Sequence, residues 1–145
     1  MLVVCHVVES WSIFSAAGAL AGNQVSMTLG ADMVVNGLTF TSADPTSLIN
    51  SGPSVLTIGG GGITVNSGTA GVTLEPGLVL GSSQNWVNDS SNTLMIGGTV
   101  TNGVNPLAIA GTGATNIASF NAGTGGLTVS SGTTTVTSTS LLGAQ

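Results

Sequence analysis

From Gly59 to Gly103 the chain reads GGGGITVNSGTAGVTLEPGLVLGSSQNWVNDSSNTLMIGGTVTNG, and this rhythm limits the fold more than any other feature. Short apolar triplets alternate with turns of Gly, Ser and Asn. The triplets are Leu38-Thr39-Phe40, Leu56-Thr57-Ile58, Ile63-Thr64-Val65, Val72-Thr73-Leu74, Leu78-Val79-Leu80, Leu94-Met95-Ile96, Leu107-Ala108-Ile109 and Leu127-Thr128-Val129. In each, the outer residues share a face and the middle one points away, the period of two that defines a strand.

The turns support this reading. Asn36-Gly37, Ser51-Gly52, Ser67-Gly68, Asn102-Gly103 and Ser131-Gly132 supply residues that tolerate positive φ, and Pro45, Pro53, Pro76 and Pro106 all fall between triplets. No segment carries a capped helical period over ten residues, so almost no helix is expected. Triplet starts at Leu38 and Leu56 lie 18 apart, Leu78 and Leu94 lie 16 apart, and Leu107 and Leu127 lie 20 apart. Strands this short, joined by Gly-rich corners, stack as rungs of a coil with two or three strands each. The expected fold is therefore all-β, a parallel β-solenoid; an antiparallel β-sandwich satisfies the same triplet period and stays open.

The first residues follow another pattern. LVVCHVV, residues 2–8, is apolar and β-branched at odd and even positions alike, which suits a strand covered on both faces or one inserted into another molecule. Trp11, Ile13 and Phe14 extend it, and residues 16–22 form a small-residue linker. Ala19-Leu20-Ala21 fits a leader cleavage site, whereas the missing basic start and the breaks at His6 and Glu9 oppose a leader. The domain reading is residues 1–22 as an apolar strand plus linker and 23–145 as the solenoid. Leu2, Val3, Val4, Cys5, Val7, Val8, Trp11, Ile13 and Phe14 are the candidate contacts to a neighbouring subunit.

Composition limits the function classes. Among 145 residues there is no Lys or Arg, against five acidic residues and a net charge of −5. Nothing can neutralise phosphates, so nucleic acid and anionic membrane surfaces are not expected partners. Trypsin finds no cleavage site, which suits a protein outside cells. No run of about 18 apolar residues supports a membrane span. The lone Cys5 makes no internal disulfide and no cluster is spaced for zinc, so no metal or cofactor is expected.

Catalytic groups are equally sparse. His6 sits in an apolar run and reads as a buried, hydrogen-bonded residue. Glu9, Asp32, Asp44, Glu75 and Asp89 are scattered singly, where glycoside cleavage needs paired carboxylates. Gly59 to Gly62 lacks the Lys-Ser/Thr of a phosphate loop and reads as a tight corner. Trp86 is expected in the core. Asn88-Asp89-Ser90 is the one glycosylation sequon, making Asn88 a candidate glycan acceptor. Thr133, Thr135, Thr137 and Thr139 are expected on one strand face, the basis of an ice-binding alternative.

Residues 28–42 (TLGADMVVNGLTFTS), 61–103 and 123–136 (GTGGLTVSSGTTTV) resemble the autotransporter-associated β-strand repeat proteins, large secreted bacterial surface proteins. The likeness rests on Gly61 to Gly68, on Gln84 to Trp86 and on Leu94 to Gly97, and spans about residues 26–136. It implies a right-handed parallel β-solenoid at the cell surface. This chain departs from the family in being far shorter and in showing no evident membrane barrel.

The expected function is a non-enzymatic extracellular structural protein that partners with itself in a filament, joined by strand addition from its N-terminal segment. A surface adhesin fragment binding glycans is the alternative, with ice binding behind it.

Overall fold

The computed structural model describes residues 12–13, 27–49 and 52–141. The strands are β1 (Ser12–Ile13), β2 (Met27–Thr28), β3 (Met33–Phe40), β4 (Thr46–Ile49), β5 (Val55–Val65), β6 (Val72–Leu74) and β7 (Gly77–Leu80). They continue as β8 (Gln84–Asn88), β9 (Leu94–Thr101), β10 (Leu107–Gly111), β11 (Ala114–Ala122), β12 (Leu127–Val129) and β13 (Thr133–Leu141). No helix occurs among the described residues.

Every ladder among the described residues is parallel. That settles the solenoid against the antiparallel sandwich. The chain winds through about five turns, and each full turn crosses three faces. On the first face Met27, Leu48, Leu74, Ile96, Ile117 and Val136 stack in register. On the second, Met33, Leu56, Leu78, Val100, Phe120 and Thr139 do so. On the third, Leu38, Ile63, Trp86, Ile109 and Val129 follow one another, with Ser12 of β1 beside Leu38.

These columns form the core. All eight triplets are strands, and in the seven before β12 both outer residues are buried. A parallel sheet needs both sides covered or one face wetted by polar residues. Here the three inner faces cover one another, while Thr, Ser, Asn and Ala fill most outward positions. Short strands suffice because each lies between two neighbours.

Three readings of the sequence need correction. The spacings of 18 and 16 do not mark neighbouring turns: Leu38 pairs with Ile63, and Leu78 with Val100, while Leu107 does pair with Leu127. The turn length on the first face is 21 residues from Met27 to Leu48, 26 from Leu48 to Leu74 and 19 from Ile117 to Val136, because the corner loops differ in length. Asn36-Gly37 is no chain reversal but lies inside β3, where the strand bends from the second face to the third. The Thr row is also broken: Thr139 stands opposite the inward Phe120, whereas Thr135 stands opposite the outward Asn116.

The Gly59 to Gly62 corner is as expected. It lies within β5, between the pairs Ile58↔Leu80 on the second face and Ile63↔Trp86 on the third. Gly62 takes φ +61°, and a Cβ there would collide with the Asn85 carbonyl oxygen one turn on. Only a glycine lets the backbones approach this closely.

Candidate functional site

Corner backbone groups leave the strand ladders, so a buried corner must find other partners. Two edges of the prism solve this with side-chain amides and hydroxyls. Between the second and third faces, Asn102 Nδ2 donates to Asn105 O (3.2 Å) and to Gly126 O (3.0 Å), and Asn102 Oδ1 accepts from Gly123 N (2.7 Å). Asn105 Nδ2 reaches back to Leu80 O at 2.8 Å. Gln84 Nε2 donates to Ile58 O at 2.9 Å while its Oε1 accepts from Trp86 Nε1 at 2.8 Å. Trp86 is fully buried, a core residue as its sequence position suggested.

Between the third and first faces, Thr69 Oγ1 donates to Phe40 O at 3.0 Å. Its own carbonyl accepts from Ser90 Oγ and from Asn92 Nδ2. Asn88 holds the next turn, donating from Nδ2 to Asn92 O (2.9 Å) and Ala114 O (2.7 Å) and accepting from Ser90 N (3.0 Å). These ladders were not legible as such, because a turn asparagine reads the same whether buried or wet.

The candidate glycan acceptor Asn88 is thus turned into the corner of the folded chain. It is 0% exposed, and the nitrogen a glycan would occupy makes two hydrogen bonds to the backbone.

Of the proposed intersubunit contacts, Ile13 alone falls among the described residues, in β1 opposite Thr39 of the same chain. Leu2, Val3, Val4, Cys5, Val7, Val8, Trp11 and Phe14 lie outside them, as do His6 and Glu9. Asp32, Asp44, Glu75 and Asp89 sit exposed at corners, with Asp32 Oδ1 accepting from Val55 N at 2.8 Å. No group of three potential metal ligands occurs among the described residues. No helix there is long and apolar enough to cross a membrane. On the third face a shallow trough of about 300 Å³, bordered by Gly60, Ser83, Asn85, Pro106, Ala108 and Thr128, holds no aromatic ring and no charge.

The least satisfied surface is the last turn. Among the described residues β12 pairs only with β10, and β13 only with β11. Val129 is 47% exposed although its column neighbour Ile109 is 2% exposed. Leu127 and Val136 are half-buried above the fully buried Leu107 and Ile117. Thr134 Oγ1 is buried without a hydrogen-bond partner, the one such side-chain atom among the described residues. No residue after Asp89 is acidic, basic or a histidine. Exposed edge strands usually carry charge, proline or a bulge that discourages pairing, and β13 has no charge and no proline along nine residues.

Compared with protein-family models, with curated proteins and with solved structures, the chain finds no significant match.

Proposed function

We propose that this chain is a non-enzymatic structural protein displayed outside the cell, a subunit that associates with copies of itself into a filament through strand addition by its N-terminal segment. The observation that supports the reading is the last described turn, where the inward Val129 is 47% exposed and where, among the described residues, β12 and β13 are each paired on one side. Open strand edges template further strands. Contacts between two different ends of one molecule propagate as open fibres when the rotation between copies does not close a ring.

The setting outside the cell is supported by the Ser, Thr and Asn outer faces, by the absence of any Lys or Arg for trypsin-like proteases, and by the resemblance to secreted β-strand repeat proteins. The donor role of residues 2–8 is supported by their β-branched, apolar character on both strand faces. Sedimentation of the full chain over a range of concentrations tests the reading. Growth into large polymers above a critical concentration is expected, and a monomer at every concentration contradicts it.

A further inference from the structure

We infer that Asn36, on the bend inside β3, is a site of spontaneous deamidation in the folded protein, and that Asn102 is sealed against the same reaction. This chemistry is independent of self-association.

An asparagine followed by glycine is open to attack by the next backbone nitrogen, because glycine has no side chain to obstruct the approach of that nitrogen to the amide carbon. The sequence holds two such pairs, Asn36-Gly37 and Asn102-Gly103. At Asn36 the Gly37 nitrogen gives up its proton to solvent base and bonds to Asn36 Cγ. The Cγ–Nδ2 bond breaks, and ammonia leaves after taking up a proton from water. Water then opens the cyclic succinimide. Attack at Cγ yields aspartate, and attack at the backbone carbonyl carbon yields isoaspartate, with the chain rerouted through Cγ. Water is consumed and ammonia released, so no further reactant is needed.

The two pairs look alike in sequence, and three observations separate them. The first is access. Asn36 is exposed, whereas Asn102 is 1% exposed. The second is restraint. Asn102 Nδ2 is held by the carbonyls of Asn105 and Gly126, and its Oδ1 by Gly123 N, so its amide cannot turn without breaking three hydrogen bonds. Among the described residues no hydrogen bond holds the Asn36 amide.

The third is room. Val35 stands opposite Ile58 and Gly37 opposite Gly62, so Asn36 sits at a register shift without a ladder partner in β5. A Cβ on Gly59 would stand 3.1 Å from Asn36 Oδ1, and one on Gly61 would stand 3.2 Å from Nδ2. Because both positions are glycine, the amide has space to turn toward the Gly37 nitrogen. The glycine run that lets β5 bend thus also leaves its neighbour one turn earlier chemically open. Isoaspartate there lengthens the backbone where β3 crosses β5 most closely, since a Cβ on Gly37 would already lie 2.8 Å from the Gly61 carbonyl carbon.

The full-length protein, held folded in mildly alkaline buffer and in parallel unfolded in concentrated urea, tests the assignment. An endoproteinase that cuts before aspartate releases residues 32–43, in which Asn36 is the single asparagine. Tandem mass spectrometry then reads deamidation at Asn36 and at Asn102, and the unfolded rates serve as the reference for each site. The folded-to-unfolded rate ratio is expected to be about tenfold or more lower at Asn102 than at Asn36, because reaction at Asn102 must await local opening. Isoaspartate methyltransferase with a labelled methyl donor should mark the aged, folded wild type, and Asn36→Ser aged in the same way should lose most of that label. Equal ratios at the two sites, an unmodified 32–43 fragment from the folded protein, or undiminished label in Asn36→Ser would overturn the assignment.

Discussion

Gly62 and Gly68 take φ of +61° and +81°, yet they carry different loads. Nothing lies within 4 Å of a Cβ built on Gly68, whereas one on Gly62 meets the Asn85 backbone. Gly68→Ala should therefore cost only the left-handed strain, about 1–2 kcal/mol. Gly62→Ala must also part β5 from β8, and urea unfolding should place it clearly below Gly68→Ala. Equal losses would mean that the corner is looser than described. Asn88 makes the matching case for a side chain. Asn88→Ala leaves the carbonyls of Asn92 and Ala114 short of donors, each omission costing about 1–3 kcal/mol. In Asn88→Asp, burial beside those two carbonyls disfavours the charged form and raises the folded pKa above the unfolded value of about 3.9. The folded state then holds its proton longer, so the variant should lose stability as pH rises from about 4, and thermal melts from pH 3 to 7 read this directly. Intact mass of the folded wild type exposed to a glycosylating extract should show Asn88 unmodified. At this scale the sequence was legible at Trp86 and at the Gly59 to Gly62 corner, where size and glycine content admit few roles. It was not legible at Asn88, because the local run Asn-Asp-Ser contains nothing about Ala114, 26 residues away.

At the scale of elements, the period of two located every triplet, since alternation is a local property of the backbone. Register is not local. Leu56 and Ile63 both follow Leu38 as apolar triplets, and only the bend at Gly59 to Gly62 puts Ile63 on the third face above Leu38 and Leu56 on the second. Strands without the apolar-Thr-apolar form, such as β4 and β11, escaped triplet counting because Thr46 and Thr115 occupy their inward positions. The Thr row failed for the same reason as the spacings: a corner between Val136 and Ser138 turns Thr139 inward. Solenoid turns contact only their neighbours, so stability is carried by turn-to-turn interfaces and weakens where one is missing. Amide hydrogen exchange should accordingly be slowest in β5, β7, β8 and β9, which are paired on both sides, and faster in β12 and β13 under monomeric conditions. Uniform protection would indicate one cooperative block. In filaments, β12 and β13 should gain protection.

At the scale of the whole molecule, the middle turns are paired on both sides, while among the described residues the last turn is paired on one side. Burial and backbone ladders hold the coil, since the chain has no Lys or Arg to form ion pairs. The four acidic residues among the described residues stand at corners of the earlier turns, and no residue after Asp89 carries a charge. On the proposed reading, the polar outer faces disfavour sideways association and copies add along the solenoid axis. The central claim is that copies add end to end along the solenoid axis. Electron microscopy of filaments from the purified full chain tests it most directly, through the axial repeat. With six strands stacked on each face of a subunit and strands about 4.8 Å apart, the account predicts a rise of about 29 Å per subunit and a strand spacing of about 4.8 Å along the fibre. Monodisperse particles, or filaments whose strand spacing runs across the axis, would contradict it.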